Sequence, residues 1–179
     1  MHGIIHSELK RFVETRHGTW AWPRLLQKAG LENASYLANG AYPDEDVVAI
    51  VQAAAAMAGT SAPAVLEDFG EFIAPNLLEI YAALILPECR TLDVILYTER
   101  TVHTVVRTRN EGAAPPELRC VRRGADEVVL TYDSPRRMCG LAKGIGRGLA
   151  RHFGEAIEIS ESACMHRGAP ACVISFRRV

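Results

Sequence analysis

Up to Arg109 the apolar positions recur every three or four residues, and from Glu117 onward most of them alternate. A helical first half and a sheet-bearing second half are predicted. Ile4, Ile5, Leu9, Phe12 and Val13 share one stripe between His2 and His17, with Glu8, Lys10, Arg11 and Glu14 mostly off it, and Gly18 closes this helix. Trp20 to Ala29 predicts a second helix on Trp20, Trp22, Leu25 and Leu26, with Gly30 as its cap. Residues 31 to 43 read as a loop holding Tyr36 and Tyr42, followed by a helix from Asp44 through Met57 whose alanines, Ala53 to Ala56, favour close packing. Ser61 caps the next helix, Ala62 to Phe72, with Pro63 in its first turn. Pro75 is expected to interrupt, with a further helix through Leu86. Thr91 to Arg109 predicts one helix that puts Leu92, Leu96, Glu99, His103 and Val106 on a stripe.

Ala113-Ala114-Pro115-Pro116 is a rigid, non-helical exit from that helix. Glu117 to Arg123 and Glu127 to Tyr132 alternate around Gly124-Ala125-Asp126, the pattern of a β-hairpin. Met138 to Phe153 returns to helix, with Gly140, Gly144, Gly146 and Gly148 flattening a surface. The strands Ala156 to Cys164 and Ala171 to Arg178 then flank Gly168-Ala169-Pro170. The fold class is α+β: a helical N-terminal part packed on a C-terminal part with a roughly four-stranded antiparallel sheet and one inserted helix.

Composition adds exclusions. With 49% hydrophobic and 23% charged residues the chain is ordinary for a globular fold. Its net charge of −1 supplies no general attraction to nucleic acid or anionic membrane, and neither is an expected partner. The longest uncharged apolar stretches, Val47 to Ala58 and Ile80 to Pro87, are too short to span a bilayer. Cys89, Cys120, Cys139, Cys164 and Cys172 are odd in number, and no secretory pattern follows Met1-His2-Gly3, so reduced thiols and a cytoplasmic location are expected.

The chemistry concentrates in Tyr132-Asp133-Ser134-Pro135-Arg136. In an extended segment positions i, i+2 and i+4 point one way, so a phenol, a hydroxyl and a guanidinium would share a face suited to carboxylates or phosphates. His103, on its apolar stripe, is a candidate metal ligand. Haem asks for both, an axial imidazole and neutralised propionates. Taken singly, His103 reads first as a hydrogen-bonded core residue, and Arg136 as a turn residue on a surface carboxylate.

Taken together, these residues resemble the haem nitric oxide/oxygen binding (H-NOX) family, which includes the haem domain of soluble guanylate cyclase. Tyr132, Ser134 and Arg136 match the family's tyrosine-x-serine-x-arginine signature, and His103 matches its proximal histidine. Pro116 stands 13 residues later, where the family has a haem-bending proline. Met1-His2-Gly3-Ile4-Ile5 and Phe69-Gly70 also fit, so the resemblance spans residues 1–179 as one domain, about 1–86 distal and about 87–179 proximal. It implies haem b ligated by His103, with propionates on Tyr132, Ser134 and Arg136 and Pro116 pressing on the porphyrin.

The resemblance also bears on the gas. Members that hold oxygen have a distal tyrosine, and that position falls here at Leu141; Ile5, Leu9 and Ile145 map nearby, and none donates a side-chain hydrogen bond. Nitric oxide is therefore the expected ligand, unless Tyr36, Tyr42 or Tyr81 reaches the pocket. In the family, ligand binding can break the bond to the proximal histidine and shift the two parts. With no enzymatic module in the sequence, the output is expected to pass to a separate histidine kinase or cyclic-dinucleotide enzyme. Cys139, Cys164 and Cys172 match three cysteines that a subset of the family uses with a histidine to bind zinc. That histidine's position holds Glu161, while His166 follows Cys164 by two, leaving His166 as ligand, Glu161 as ligand, or no site. A thiol or zinc redox sensor built on these cysteines is the rival reading; an enzyme is not expected.

Overall fold

The computed structural model describes residues 1–110 and 112–179. The predicted stripes form α1 (Gly3–His17), α2 (Ala21–Lys28), α3 (Asp44–Ala58) and α4 (Ala62–Ile80). They bury Leu9, Val47, Ile50, Phe69 and Ile73 against one another completely. Gly18 ends α1 at φ 86°, in the region that favours glycine, with its N–H on Glu14. Ser61 Oγ caps α4 by accepting from the Ala64 N–H at 3.3 Å.

Two expectations about this stretch are corrected. Pro75 does not interrupt: α4 runs through it to Ile80. A proline inside a helix costs about 3 kcal/mol, but Ile73 and Ala74 beside it are fully buried, and this packing holds the helix together. The expected helix through Leu86 is only a 3-10 turn, Ala82–Leu84.

The predicted helix from Thr91 to Arg109 is broken into α5 (Thr91–Tyr97), a π-helical turn (Glu99–His103) and α6 (Thr104–Arg109). Within the turn the His103 N–H reaches back five residues to the Thr98 carbonyl at 3.0 Å. Threonine hydroxyls of Thr98, Thr101 and Thr104 bond carbonyls four or five residues back, contacts that bend and loosen a regular helix.

β1 (Glu117–Arg123), β2 (Glu127–Asp133), β3 (Ile157–Ala163) and β4 (Cys172–Arg178) form one antiparallel sheet in the order β1-β2-β4-β3. In β2 and β4 the directly paired residues Val128 and Phe176, Leu130 and Ile174, and Tyr132 and Cys172 are buried, giving one apolar face. α7 (Cys139–Phe153) lies between that face and α4. A Cβ on Gly144 would stand 2.0 Å from the Glu67 carbonyl oxygen, and one on Gly146 would stand 2.2 Å from the Phe176 ring. Only glycine lets this helix touch both neighbours so closely. Among the described residues no single helix is long and apolar enough to cross a membrane.

Candidate functional site

Between α1, α4 and α7 on one side and the α5–α6 helix with β1 and β2 on the other lies a cavity of about 230 Å³, room for a ligand far larger than a few waters. Its wall includes Ile5, His103, Pro116, Tyr132, Arg136, Leu141 and Ile145.

The π turn presents His103 to this cavity with its side chain only 14% exposed. Its Nδ1 lies 2.9 Å from Glu99 Oε2. Burial pushes the imidazole pKa down, and the Glu99 bond only partly offsets this, so the ring is neutral at neutral pH. Burial alone would raise the Glu99 pKa, but the bonds from His103 and Arg107 outweigh it and hold the carboxyl below its usual range. An ionised carboxylate only accepts, so Nδ1 carries the proton and Nε2 keeps a free lone pair. That is the imidazole form a metal requires.

The signature residues converge, though not by strand alternation. β2 stops at Asp133, and a turn follows in which the Arg137 N–H donates to the Ser134 carbonyl at 3.0 Å, with Arg137 at φ 52°. Tyr132 is 3% exposed and its hydroxyl accepts from the Met138 N–H at 3.1 Å. Ser134 is equally buried; its Oγ accepts from the Arg136 N–H at 3.4 Å, and it stands behind the cavity wall rather than on it. Arg136 donates to the Ala114 carbonyl and pairs with Asp44, its Nε 2.7 Å from Oδ2. That buried Nε nevertheless has no aligned hydrogen-bond acceptor among the described residues. Burial would raise the Asp44 pKa, but the N-terminal ammonium and Arg136 lower it overall. Asp44 lies 92 positions from Arg136, and no local sequence pattern pointed to the pair.

Ala74, Leu77, Leu78 and Ala142 extend the apolar wall around Leu141 and Ile145. Leu9, expected near this face, is buried in the core and off the wall. Tyr36 bonds Asp46 and Tyr42 accepts from the Leu37 N–H, both away from the cavity, whereas Tyr81 lines it and burial raises its pKa. A half-buried, Nδ1-anchored imidazole, a guanidinium with an unaligned N–H, and apolar walls form a donor set that fits haem.

The second constellation brings together Cys139, Glu161, Cys164 and Cys172, with one ligand atom of each within 4.8 Å of the others. Cys164 Sγ lies 4.0 Å from Cys139 Sγ and 3.9 Å from Cys172 Sγ. Two thiolates on one tetrahedral zinc with bonds of about 2.3 Å stand roughly 3.8 Å apart. A register shift in β3 between Glu161 and Ala163 accompanies this placement. Glu161 Oε1 is buried beside the thiols without a hydrogen-bond partner among the described residues. Burial, then Cys172, Cys164 and Glu161, push the Cys139 thiol pKa up. His166 does not join: its Nε2 sits 2.7 Å from the Arg137 carbonyl oxygen.

Comparison with known proteins accords with this geometry. Among solved structures the chain is similar to an H-NOX protein from S. oneidensis in the Fe(II)NO ligation state. The two share 26% identity at a TM-score of 0.92, covering 100% of this chain and 99% of that one. The H-NOX domain from Shewanella oneidensis in the Fe(II)CO state is similar at 26% identity and a TM-score of 0.88, with the same coverage. The Fe(II) unliganded H-NOX protein from K. algicida, at 20% identity and a TM-score of 0.89, covers 100% of this chain and 97% of that one and shares the fold. No curated protein matches the chain. The family model described as Haem-NO-binding matches residues 2–161, and the chain therefore belongs to the haem-NO-binding, or H-NOX, family.

Proposed function

We propose that the chain is a haem-based nitric oxide sensor that acts by binding rather than by turnover, with residues 1–179 working as one unit. The observation that carries this reading is His103, a half-buried neutral imidazole anchored by Glu99 on the wall of a largely apolar cavity. Haem b, when bound, supplies the ferrous iron that takes the gas. His103 would offer its free nitrogen as axial ligand; Tyr132 and Arg136 on the wall would hold the propionates, with Ser134 bracing Arg136 from behind, and Pro116 would abut the porphyrin. Bound dioxygen carries negative charge that needs a hydrogen-bond donor, whereas nitric oxide does not. Ile5, Leu141 and Ile145 donate nothing, which favours nitric oxide. The signal would pass to a separate cytoplasmic protein, a histidine kinase or a cyclic-dinucleotide enzyme.

The test is an absorption spectrum of the reduced, haem-reconstituted protein under nitric oxide and in air. We expect a Soret band that shifts with nitric oxide and no stable oxygen complex. Absence of a Soret band rejects the haem reading. A stable oxygen complex that disappears in Tyr81→Phe rejects nitric oxide selectivity and makes Tyr81 the donor.

The cysteine cluster supports structural zinc, with Cys139, Cys164 and Cys172 as thiolates and Glu161, rather than His166, as the fourth ligand. Burial of all three thiols, with raised pKa values for Cys139 and Cys172, disfavours facile oxidation, so the redox-sensor reading gains nothing from this geometry.

A further inference from the structure

Glu99 makes contacts that haem ligation by itself does not need. One carboxylate oxygen, Oε2, meets His103 Nδ1 at 2.9 Å and also accepts the Leu118 N–H at 3.2 Å. The other, Oε1, accepts from Arg107 Nη2 at 2.5 Å. Arg107 reaches the Pro116 carbonyl as well, at 3.4 Å. Glu99 thus joins the imidazole to the start of β1 directly, and to the Pro116 carbonyl through Arg107. Glu99 and His103, four residues apart, face the same way at the two ends of the π turn. Glu99 is only 23% exposed, so its bond to the ring is partly shielded from competing water.

A carboxylate on one imidazole nitrogen fixes the tautomer and the ring plane, and it enriches the electron density of the opposite nitrogen. A charged acceptor does this more strongly than a neutral one. Arg107 works against it, because a cation on Oε1 withdraws charge from the carboxylate. Resting on the haem reading above, we propose that Glu99 is a positioning residue that sets the orientation and donor strength of His103 toward iron, with Arg107 moderating it. The strength of the iron–imidazole bond is then a property of a Glu99–Arg107 pair rather than of His103 alone. Its coupling to the sheet runs through the Leu118 N–H.

The two residues predict shifts of opposite sign, which simple loosening of the fold does not produce. In the reduced, haem-loaded protein the iron–imidazole stretching band is read by resonance Raman spectroscopy. Glu99→Gln keeps the side-chain volume but makes the acceptor neutral, and the band moves to lower frequency. Arg107→Gln removes the counter-charge while leaving the carboxylate in place, and the band moves to higher frequency. Both shifts are required; an unmoved band in Glu99→Gln, or an unmoved or lowered band in Arg107→Gln, overturns the proposal. Should Glu99→Gln lose haem, Arg107→Gln decides alone on the same criterion. A wild-type protein without a Soret band refutes the haem reading instead, whereas a Soret band with unmoved Raman bands refutes only the role of Glu99.

Discussion

Leu141 shows how far one side chain can set ligand choice. It lies on α7 at the cavity wall, beside Ala142 and Ile145. A phenol there would add the one donor that the wall around it lacks. A hydrogen bond to a charged acceptor contributes about 1.5–3 kcal/mol, or roughly ten- to a hundredfold in affinity. Leu141→Tyr should therefore raise oxygen affinity by at least about tenfold while leaving nitric oxide binding nearly unchanged. Oxygen titration of the reduced protein, followed by absorption, measures it; equal gains for both gases would mean that the substitution acts on His103 instead. His103 itself illustrates a limit at this scale. Its place on a stripe shared with Glu99 was legible from spacing, but its tautomer was not, because that rests on the 2.9 Å contact between Nδ1 and the Glu99 carboxylate, which spacing alone does not give.

At the scale of elements, the strands and most helices were legible because apolar periodicity is local and records which face is buried. Glu117–Arg123 and the Gly168 turn fall where alternation put them. What could not be read was decided by packing across the chain. Pro75, itself exposed, stays inside α4 because α7 packs against the neighbouring Ala74, and the π turn arises where threonine hydroxyls bond back to the helix carbonyls. The choice of Glu161 over His166 depends on the register shift in β3 and on the 3-10 turn Met165–Arg167 that directs His166 to Arg137. The cluster ties the start of α7 to the end of β3 and the start of β4, so zinc there would hold three elements together. Protein purified without chelators should contain about one zinc per chain by elemental analysis. Cys164→Ser should lose it and melt lower by roughly 5–10 °C, the shift expected for a loss of about 2–3 kcal/mol in a chain of this size. Zinc-free wild-type protein would remove the site from the account.

For the whole molecule, stability depends on acid in two separate windows, one set by charged contacts between the N-terminal helices and the C-terminal part and one by the buried His6. Glu67 on α4 meets Lys143 of α7 at 2.8 Å and Arg147 at 3.2 Å, and Asp44 meets Arg136. Burial would raise the Glu67 pKa, but its two cations outweigh this and lower it. A depressed carboxylate adds stability that is complete above its ordinary pKa and lost as pH falls toward the folded value, so this loss begins only below about pH 4.5. His6 acts earlier. It is fully buried on α1, stacked on Tyr36 with ring centroids 4.2 Å apart, and neither nitrogen has a partner among the described residues. Burial lowers its pKa to about 4. The unfolded chain therefore takes up a proton below about pH 6.5 that the folded chain refuses, and stability falls between pH 6.5 and 4 by on the order of 3 kcal/mol. His6→Phe keeps an aromatic ring against Tyr36 and abolishes this proton uptake. Urea midpoints at pH 7 and pH 5 should differ clearly in the wild type and much less in His6→Phe, while both proteins still weaken below pH 4.5. Equal sensitivity of the two proteins between pH 7 and pH 5 would show that the early acid loss arises elsewhere in the fold.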